Sequence, residues 1–306
     1  MKSIAGIFDY FKEAFHINRE NKGLYSPQLV LIAMKFLMVL GIGIGLYTFI
    51  GREDFSQFIM GKIRFVHILP TLLSAGAVLV VIGFVYVILS HIVEAGLYNL
   101  YKKCINDGYF VQKDFWEGVR KYFFNFLFGD VLIFSAGIMF FPFYLFLGII
   151  TLGIGFAFIP IMVSLFLSMW KVSLVMNDSN LFDALRDSMH FAKAHFIPLS
   201  FLQLIHWSFV RVVGVSGGNT GSIFSWRKNA DVVPSPLSPD MHFTQKRVEA
   251  ILKIVRMAVA VAVPVLTVSY AIGMIVKMIF QVFFSLVLFI AYRDGFSRPQ
   301  QKEVIF

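Results

Sequence analysis

The sequence contains one cysteine, Cys104, among its 306 residues. A single cysteine excludes an intramolecular disulfide and any Cys-x-x-Cys motif for a metal ion or for redox exchange. Charged residues are also scarce, because Asp, Glu, Lys and Arg together make up 15% of the chain. The GxxxxGK[ST], HExxH and GxSxG motifs of common enzyme classes are missing as well. We therefore expect a protein that is not an enzyme and that uses no cofactor and no bound metal.

Hydrophobic residues dominate what the sequence does contain. They make up 58% of the chain, and 36 residues are Phe, a composition typical of integral membrane proteins. The formal net charge is +9, but Lys and Arg occur singly at the ends of apolar segments. This distribution fits anionic lipid headgroups at the cytoplasmic face. We expect membrane lipids as partners and no nucleic acid, and the sequence also allows a membrane-protein partner or a homo-oligomer.

A short amphipathic pattern occurs three times along the chain. Residues 7–21 align with residues 181–195 without a gap, and residues 116–125 follow the same pattern more weakly. In each copy the apolar residues recur at helical spacing, so one helix face is apolar and the other is charged. The matching positions are Phe8, Asp9, Lys12 and His16, then Trp116, Glu117 and Arg120, then Phe182, Asp183, Arg186 and His190. Such helices are expected to lie in the headgroup plane, with Asp114 and Asn180 as helix caps.

Long apolar segments follow the three amphipathic copies, and about 20 residues suffice to cross a bilayer. We predict six spanning helices, at residues 28–50, 66–97, 196–215 and 257–292 and as two helices within 127–176. The two helices within 127–176 are expected to reverse near residues 148–155. The last helix is expected to kink near Pro264. Three glycines in the first span, Gly41, Gly43 and Gly45, would permit close helix contact or bending.

These patterns predict an all-α integral membrane protein with six transmembrane helices, in three repeats of one interfacial amphipathic helix plus two spanning helices. A single membrane domain would comprise residues 1–306, with repeats at about 1–104, 111–176 and 180–296 and an irregular loop at 217–245. The positive-inside rule places both termini in the cytoplasm of a bacterial or archaeal cell, although Arg227 and Lys228 oppose this orientation.

Two short stretches of the chain resemble a known family. They are the entry to the fifth span and the end of the last helix, with the residues Ala184, Leu185, Ser188, Lys193, Phe196, Tyr292 and Asp294. They are similar to the pattern of a prokaryotic superfamily of six-helix membrane proteins of unassigned function, which includes the membrane domain fused to some glycerophosphoryl diester phosphodiesterases. The resemblance implies a membrane-embedded accessory or transport-like role. This chain contains no phosphodiesterase barrel, and its 217–245 loop looks longer than that of the family.

Polar residues inside the predicted spans are candidates for function, because they are costly in lipid. The candidates for lining a cavity are Lys277, Gln281, His206, Arg211, Glu94 and His91. His91 and Glu94 are three residues apart, a spacing that suits two metal ligands, a proton-relay pair or an interfacial pair. Asp130 is a candidate counter-ion. Lys35 and Lys171 are expected to snorkel to the membrane surface.

Three functions are compatible with this sequence. A transport-like or lipid-handling protein would bring the cavity candidates together in one interior space. A scaffold or assembly factor would use its cytoplasmic amphipathic helices to hold partners or to sense lipid packing. An intramembrane enzyme would need His91 and Glu94 to meet a third ligand, such as His206 or Asp130.

Overall fold

The computed structural model describes residues 6–50, 52–60, 64–218 and 245–296. The ordered elements within these ranges are helices, which confirms the prediction of an all-α protein. A short 3₁₀ turn, Lys22–Tyr25, separates the first two α-helices. The α-helices are α1 (Ile7–Glu20), α2 (Ser26–Ile50), α3 (Glu53–Ile59), α4 (Phe65–Asp107), α5 (Gln112–Ile150), α6 (Ile154–Leu167), α7 (Trp170–Asn177), α8 (Leu181–Ala194), α9 (Phe196–Gly218) and α10 (Gln245–Phe296).

Several of these helices are long and apolar enough to cross a membrane. Within the described part of the chain the qualifying segments are Lys22–Ile50, Phe65–Asp107, Gln112–Ile150, Ile154–Asn177 and Ala250–Gly295. They support a membrane-embedded protein. The predicted fifth span corresponds to α9, which is not among these five segments. The count of six spans and their arrangement in repeats therefore stay predictions.

The predicted reversal inside residues 127–176 is present. α5 ends at Ile150 and α6 begins at Ile154. Gly153 adopts φ +92°, a left-handed conformation that glycine takes without steric cost. The Thr151 hydroxyl accepts a hydrogen bond from the Gly155 amide at 2.8 Å and so closes the turn.

The second amphipathic copy differs from the other two. The first and third copies form separate helices, α1 and α8, whereas residues 116–125 lie inside α5 and continue directly into its apolar part. Asp114 does not hold the N-cap position, which belongs to Val111. The Asp114 carboxylate, in the first turn of α5, accepts a hydrogen bond from the Val111 amide at 2.8 Å. Asn180 is the N-cap residue of α8, but its side chain makes no capping hydrogen bond.

Other boundaries also shift from their predicted positions. α4 continues ten residues beyond the predicted 66–97, because Leu97, Leu100, Tyr101 and Cys104 are buried at helical spacing. α9 and α10 include the two ends of the predicted 217–245 loop, and residues 219–244 lie outside the described residues. The last predicted span is one continuous helix, α10, with Pro264 inside it.

The chain divides into two compact units. The first unit comprises Met1–Leu29, Ile88–Arg211 and Met278–Phe306, and the second comprises Val30–Val87 and Val212–Lys277. In the second unit, α2 approaches α10 at Gly43, where a Cβ would clash with the Val263 side chain. Of the three glycines, Gly43 permits close contact, whereas a Cβ at Gly41 or Gly45 would meet nothing within 4 Å in the described part of the chain.

The first unit contains the main hydrophobic core. Large aromatic side chains fill it, including Tyr10, Tyr101, Tyr122, Phe126, Phe289 and Tyr292. α4 and α5 approach closely where Gly118 meets Asn99, and the Asn99 side-chain amide donates to the Asp114 carbonyl at 2.7 Å. This close approach brings the polar side chains of α4 and α5 to one side of the core.

Candidate functional site

A charged cluster in the first unit joins three helices. The Lys171 ammonium on α7 lies 2.8 Å from the Glu94 carboxylate on α4 and 2.9 Å from the Asp130 carboxylate on α5. His91, one helical turn before Glu94, lies 3.0 Å from the same Asp130 oxygen through its Nε2 atom. We call these four residues the Lys171 cluster. Each of its helices belongs to a segment long and apolar enough to cross a membrane.

The cluster is largely withdrawn from the protein surface. Side-chain exposure is 15% for Lys171 and 12% for His91, against 32% for Glu94 and 39% for Asp130. The Lys171 ammonium also lies 5.3 Å from the centroids of the Phe126 and Trp170 rings. Aromatic faces attract a cation, so they help to hold the ammonium between the two carboxylates. The cluster therefore combines an enclosed cation and histidine with carboxylates that reach the surface.

A close helix contact explains why Asp130 and Lys171 meet. A Cβ at Gly129 would overlap the Trp170 ring, so α5 and α7 can approach only because residue 129 lacks a side chain. The charged residues follow immediately in each helix, at 130 and 171. The Gly129 contact with Trp170 thus sets the position of the ion pair.

A second polar network lies where α7, α8 and α10 meet. The Tyr292 hydroxyl donates to Ser173 Oγ at 2.8 Å, and the Asn177 amide donates to the Tyr292 oxygen at 2.9 Å. Asn177 and Ser173 also donate to the Asp187 carboxylate, at 3.1 and 3.3 Å. The two hydrogen bonds of Tyr292 connect residues more than one hundred positions apart in sequence. Their role is to fix the end of α10 against α7 and α8.

Asp178, just beyond α7, forms ion pairs with basic residues of α4 and α5. Its carboxylate lies 2.9 Å from Lys102 and 2.8 Å from Lys121, and it accepts a hydrogen bond from the Tyr122 hydroxyl. Burial acts to raise the pKa of Asp178, but the hydrogen bonds from Lys121, Tyr122 and Lys102 outweigh it and lower that pKa to about 2. Asp178 is thus held as a carboxylate at neutral pH.

The three amphipathic copies present the same face to the outside. All eleven matching positions are exposed: Phe8, Asp9, Lys12, His16, Trp116, Glu117, Arg120, Phe182, Asp183, Arg186 and His190. Two aligned positions on the inward face are buried in every copy. One is occupied by Tyr10, Gly118 and Ala184, and the other by Ala14, Tyr122 and Ser188. An aromatic, an acidic and a basic residue therefore recur together on three helix surfaces of the first unit.

The structure places the six cavity candidates in different surroundings. His91 and Glu94 meet in the Lys171 cluster, whereas the His206 ring stacks on Phe284 with centroids 4.6 Å apart. Arg211 lies over the Trp207 ring at 5.3 Å. The two remaining candidates, Lys277 and Gln281, are exposed.

Sequence reasoning missed the central residue of the cluster. Lys171 was expected to snorkel to the membrane surface, but it is bonded to carboxylates on two other helices. Asp130 was identified only as a candidate counter-ion. In the sequence, an acidic residue directly follows Gly129 and a basic residue directly follows Trp170. This local pattern does not indicate that α5 and α7 pack together. In the described part of the chain, no group of three or more His, Cys, Asp or Glu residues is arranged to hold a metal ion.

Several residues that carry the family resemblance make defined contacts. Ser188 and Ala184 are fully buried, and Tyr292 belongs to the network with Ser173. The Ser188 hydroxyl donates to the Phe166 carbonyl at 2.6 Å and accepts from the Met169 amide at 3.2 Å. Comparison of the chain with protein-family models, with curated proteins and with solved structures finds no match. The resemblance therefore stays a prediction.

Proposed function

We propose that this protein is a non-enzymatic, multi-pass protein of a bacterial or archaeal cytoplasmic membrane with a transport-like or lipid-handling role. The observation that supports this proposal most directly is the Lys171 cluster. It places two carboxylates, an ammonium and an imidazole on three apolar helices. Ionisable groups at such positions are costly in lipid and are usually retained for function.

The cost of the cluster argues against a purely structural role. A buried ion pair contributes little net stability, because desolvation of both charges offsets their attraction. Apolar side chains of similar size at the same positions would hold the helices together at least as well. The Asp130 side chain is 39% exposed, so the cluster is accessible from the surface of the protein. We infer that a ligand or an ion reaches these four ionisable groups.

The proposed orientation has both termini in the cytoplasm. Its support is the contact between the two ends of the chain, where an Arg293 Nη atom near the end of α10 lies 3.0 Å from Glu13 on α1. Because these two segments meet, they belong on the same side of the membrane. The basic residues near Asp178 favour the cytoplasmic side, where anionic headgroups concentrate.

Water access to the cluster tests this function. A His91→Cys variant in a Cys104→Ser background would be treated with a membrane-impermeant thiol reagent, in intact cells and in inverted vesicles. We expect labelling from at least one side, because a transport pathway brings water to membrane depth. The matched control is Phe134→Cys, an exposed position one turn beyond Asp130 on α5.

The outcomes separate this function from its alternatives. Labelling at position 91 without labelling at position 134 supports a water-filled path that ends at the cluster. Failure to label position 91 from either side, when an Arg293→Cys variant reacts from the cytoplasmic side, contradicts the transport-like proposal.

A scaffold or assembly factor is the second candidate function. The repeated outward face of the three amphipathic copies favours it, since Phe8, Trp116 and Phe182 are all exposed beside opposite charges. We propose that these aromatic residues enter the headgroup layer and that the neighbouring Lys12, Arg120 and Arg186 bind anionic lipid.

A spin label tests this candidate, because its accessibility to oxygen and to a water-soluble reagent shows whether it lies in lipid or in water. A label on a Phe182→Cys variant should be more accessible to oxygen than to a water-soluble nickel complex, whereas a label on Asp183→Cys should show the reverse. If both labels are equally accessible to the nickel complex, α8 does not lie in the headgroup layer. The lipid-binding face, and with it this version of the scaffold, would then be rejected.

A further inference from the structure

An apolar groove lies between α2 and α4 in the second unit. Its volume is about 980 Å³, at the upper end of the range of roughly 300 to 1,000 Å³ that ligand sites occupy. Among the described residues that line it, Arg52 alone carries a charge. The Thr48 and Ser74 hydroxyls, which also line it, each donate to a carbonyl of their own helix at 2.9 Å. The groove therefore suits an apolar ligand.

Three glycines keep the groove open. A Cβ at Gly41, Gly45 or Gly76 would meet nothing within 4 Å in the described part of the chain. Gly41 and Gly45 are four residues apart, so they lie on one face of α2. Gly43 lies on the opposite face, where it packs against Val263 of α10. α2 thus packs closely against α10 and leaves a recess on the side of α4.

A smaller, basic pocket adjoins the groove at Arg52, which lines both. Its volume is about 540 Å³, and it lies between the end of α2 and the start of α10. The charged residues that line it are Arg52, Lys253, Arg256 and Glu53. Three positive charges and one negative charge leave a formal excess of two positive charges. Such an excess attracts an anion.

Arg256 has a donor available in this pocket. Its Nε–H group is buried and has no hydrogen-bond partner among the described residues. A buried donor without a partner is unfavourable, and a ligand that accepts its hydrogen bond would remove that cost. The guanidinium lies 4.8 Å from the centroid of the Tyr47 ring, which helps to hold it in place. Guanidinium groups bind phosphate oxygens through charge-assisted hydrogen bonds.

We propose that the groove and the basic pocket together bind one anionic phospholipid. The acyl chains occupy the groove between α2 and α4, and the phosphate pairs with Arg52 and Arg256. This inference rests on the lipid-handling form of the proposed function and names the class of lipid. An apolar groove alone would accept any acyl chain, and a basic pocket alone would accept any phosphate. Their junction at Arg52 selects a molecule that carries both.

In the proposed orientation this site faces away from the cytoplasm. The end of α10 belongs to the cytoplasmic side, where Arg293 contacts Glu13. Because Ala250–Gly295 is long enough to cross a membrane, the start of α10 then lies on the other side. The positive-inside rule disfavours Lys253 and Arg256 on that side. A headgroup site gives both residues a role there.

The test measures binding of phosphatidylglycerol to the full chain, purified in detergent and freed of its native lipid, by native mass spectrometry. Phosphatidylcholine with the same acyl chains and inorganic phosphate are the comparison probes. We expect one phosphatidylglycerol to bind per chain, about tenfold or more tightly than phosphatidylcholine, because only the former has a net negative charge. Inorganic phosphate at equal concentration should not displace it, because phosphate makes no contact with the groove.

Two variants separate the headgroup from the acyl chains. Arg256→Gln should weaken phosphatidylglycerol binding about tenfold and leave phosphatidylcholine binding nearly unchanged. Gly45→Leu should place a side chain in the groove and weaken the binding of both lipids. The matched controls are Lys113→Gln and Gly137→Leu on α5, where Lys113 is exposed and a Cβ at Gly137 would meet nothing within 4 Å in the described part of the chain. Both controls should bind the two lipids as the wild type does.

Lys253→Gln is a second headgroup variant if Arg256→Gln does not fold, because Lys253 is exposed. Equal affinity of the wild type for the two lipids overturns the proposal. Displacement of phosphatidylglycerol by inorganic phosphate, or unchanged lipid binding in Gly45→Leu, overturns it as well.

The lipid site and the transport-like function can fail separately. The thiol labelling at position 91 reports water access to the Lys171 cluster, and no residue of that cluster lines the groove or the basic pocket. Selective binding of phosphatidylglycerol without water access would leave a lipid-handling protein that has no transport path. Water access without selective lipid binding would support the transport-like function and reject the lipid site.

Discussion

The Lys171 ammonium lies 2.9 Å from Asp130 Oδ2, although the two residues belong to different helices, α7 and α5. Glu94 on α4 lies 2.8 Å from the same ammonium, so one lysine forms ion pairs with carboxylates on two other helices. Removing this cation leaves two half-buried carboxylates without their positive partner. The stability of the first unit should therefore depend strongly on Lys171.

Substitution of Lys171 by methionine keeps the side-chain volume and removes the charge. Because Asp130 is 39% exposed, we expect a loss of about 2 kcal/mol, less than the roughly 3 to 5 kcal/mol of a fully buried pair. Thermal unfolding can be followed with a thiol-reactive dye, since Cys104 is buried in the folded protein. Lys35→Met is the control, because Lys35 lies 5.3 Å from the centroid of the Tyr86 ring and is not part of the Lys171 cluster. Equal losses in the two variants would contradict the assigned role.

The break between α6 and α7 depends on one hydroxyl. Ser188→Ala removes the donor to the Phe166 carbonyl and the acceptor of the Met169 amide. Both backbone groups then lie unsatisfied in the core, which should cost about 1 to 3 kcal/mol. The same dye assay would measure this loss, with Thr48→Ala as a control, because the Thr48 hydroxyl bonds an exposed carbonyl within its own helix. A Ser188→Ala protein as stable as wild type would show that this hydroxyl is dispensable.

Acid sensitivity should report the Asp178 carboxylate. Its pKa is lowered from 3.8 to about 2, so its contribution to stability is complete above about pH 4 and is lost as the pH falls toward 2. Asp178→Asn should flatten this part of the stability profile. Asn is the suitable replacement because Asp178 adopts φ +52°, a conformation that Asn also tolerates. Unfolding would be measured between pH 2 and 6, with Asp183→Asn as the exposed control. A wild-type acid profile in Asp178→Asn would exclude the ion pairs as its cause.

The crossing of α4 and α5 has no room for a side chain at Gly118. Gly118→Ala would push a methyl group into Asn99 and the Ala95 carbonyl, and we expect a loss of about 1 to 3 kcal/mol. Gly137, on the same helix, has nothing within 4 Å. Gly137→Ala should instead stabilise the helix by up to about 1 kcal/mol. If both variants change stability in the same direction, close packing at Gly118 is not the determining factor.

The sequence predicted well those features that depend on local pattern. Helical periodicity gave the all-α class, and the glycines near residue 150 gave the reversal between α5 and α6. Helix boundaries were less accurate. The second amphipathic copy continues within α5, and the sequence between residues 116 and 130 contains no proline that would end a helix. Apolar spacing alone does not distinguish one long helix from two.

The candidate site could be predicted only in part, because it depends on contacts between helices. His91 and Glu94 share a helix face, so their pairing follows from a spacing of three residues. Lys171 is about forty residues from Asp130 in sequence, and their contact depends on the packing of Gly129 against Trp170. No local pattern encodes which two helices meet.

The continuity of α5 has a mechanical consequence. The helix contains 39 residues and is about 58 Å long at about 1.5 Å per residue, and it carries Trp116 and Glu117 near one end and Asp130 further along. α8 ends at Ala194 and α9 begins at Phe196, so His195 separates the third copy from the helix that follows it, whereas α5 runs without a break from Trp116 to Asp130. Because α5 is continuous, a tilt of its amphipathic turns at the headgroups would also displace the Asp130 carboxylate.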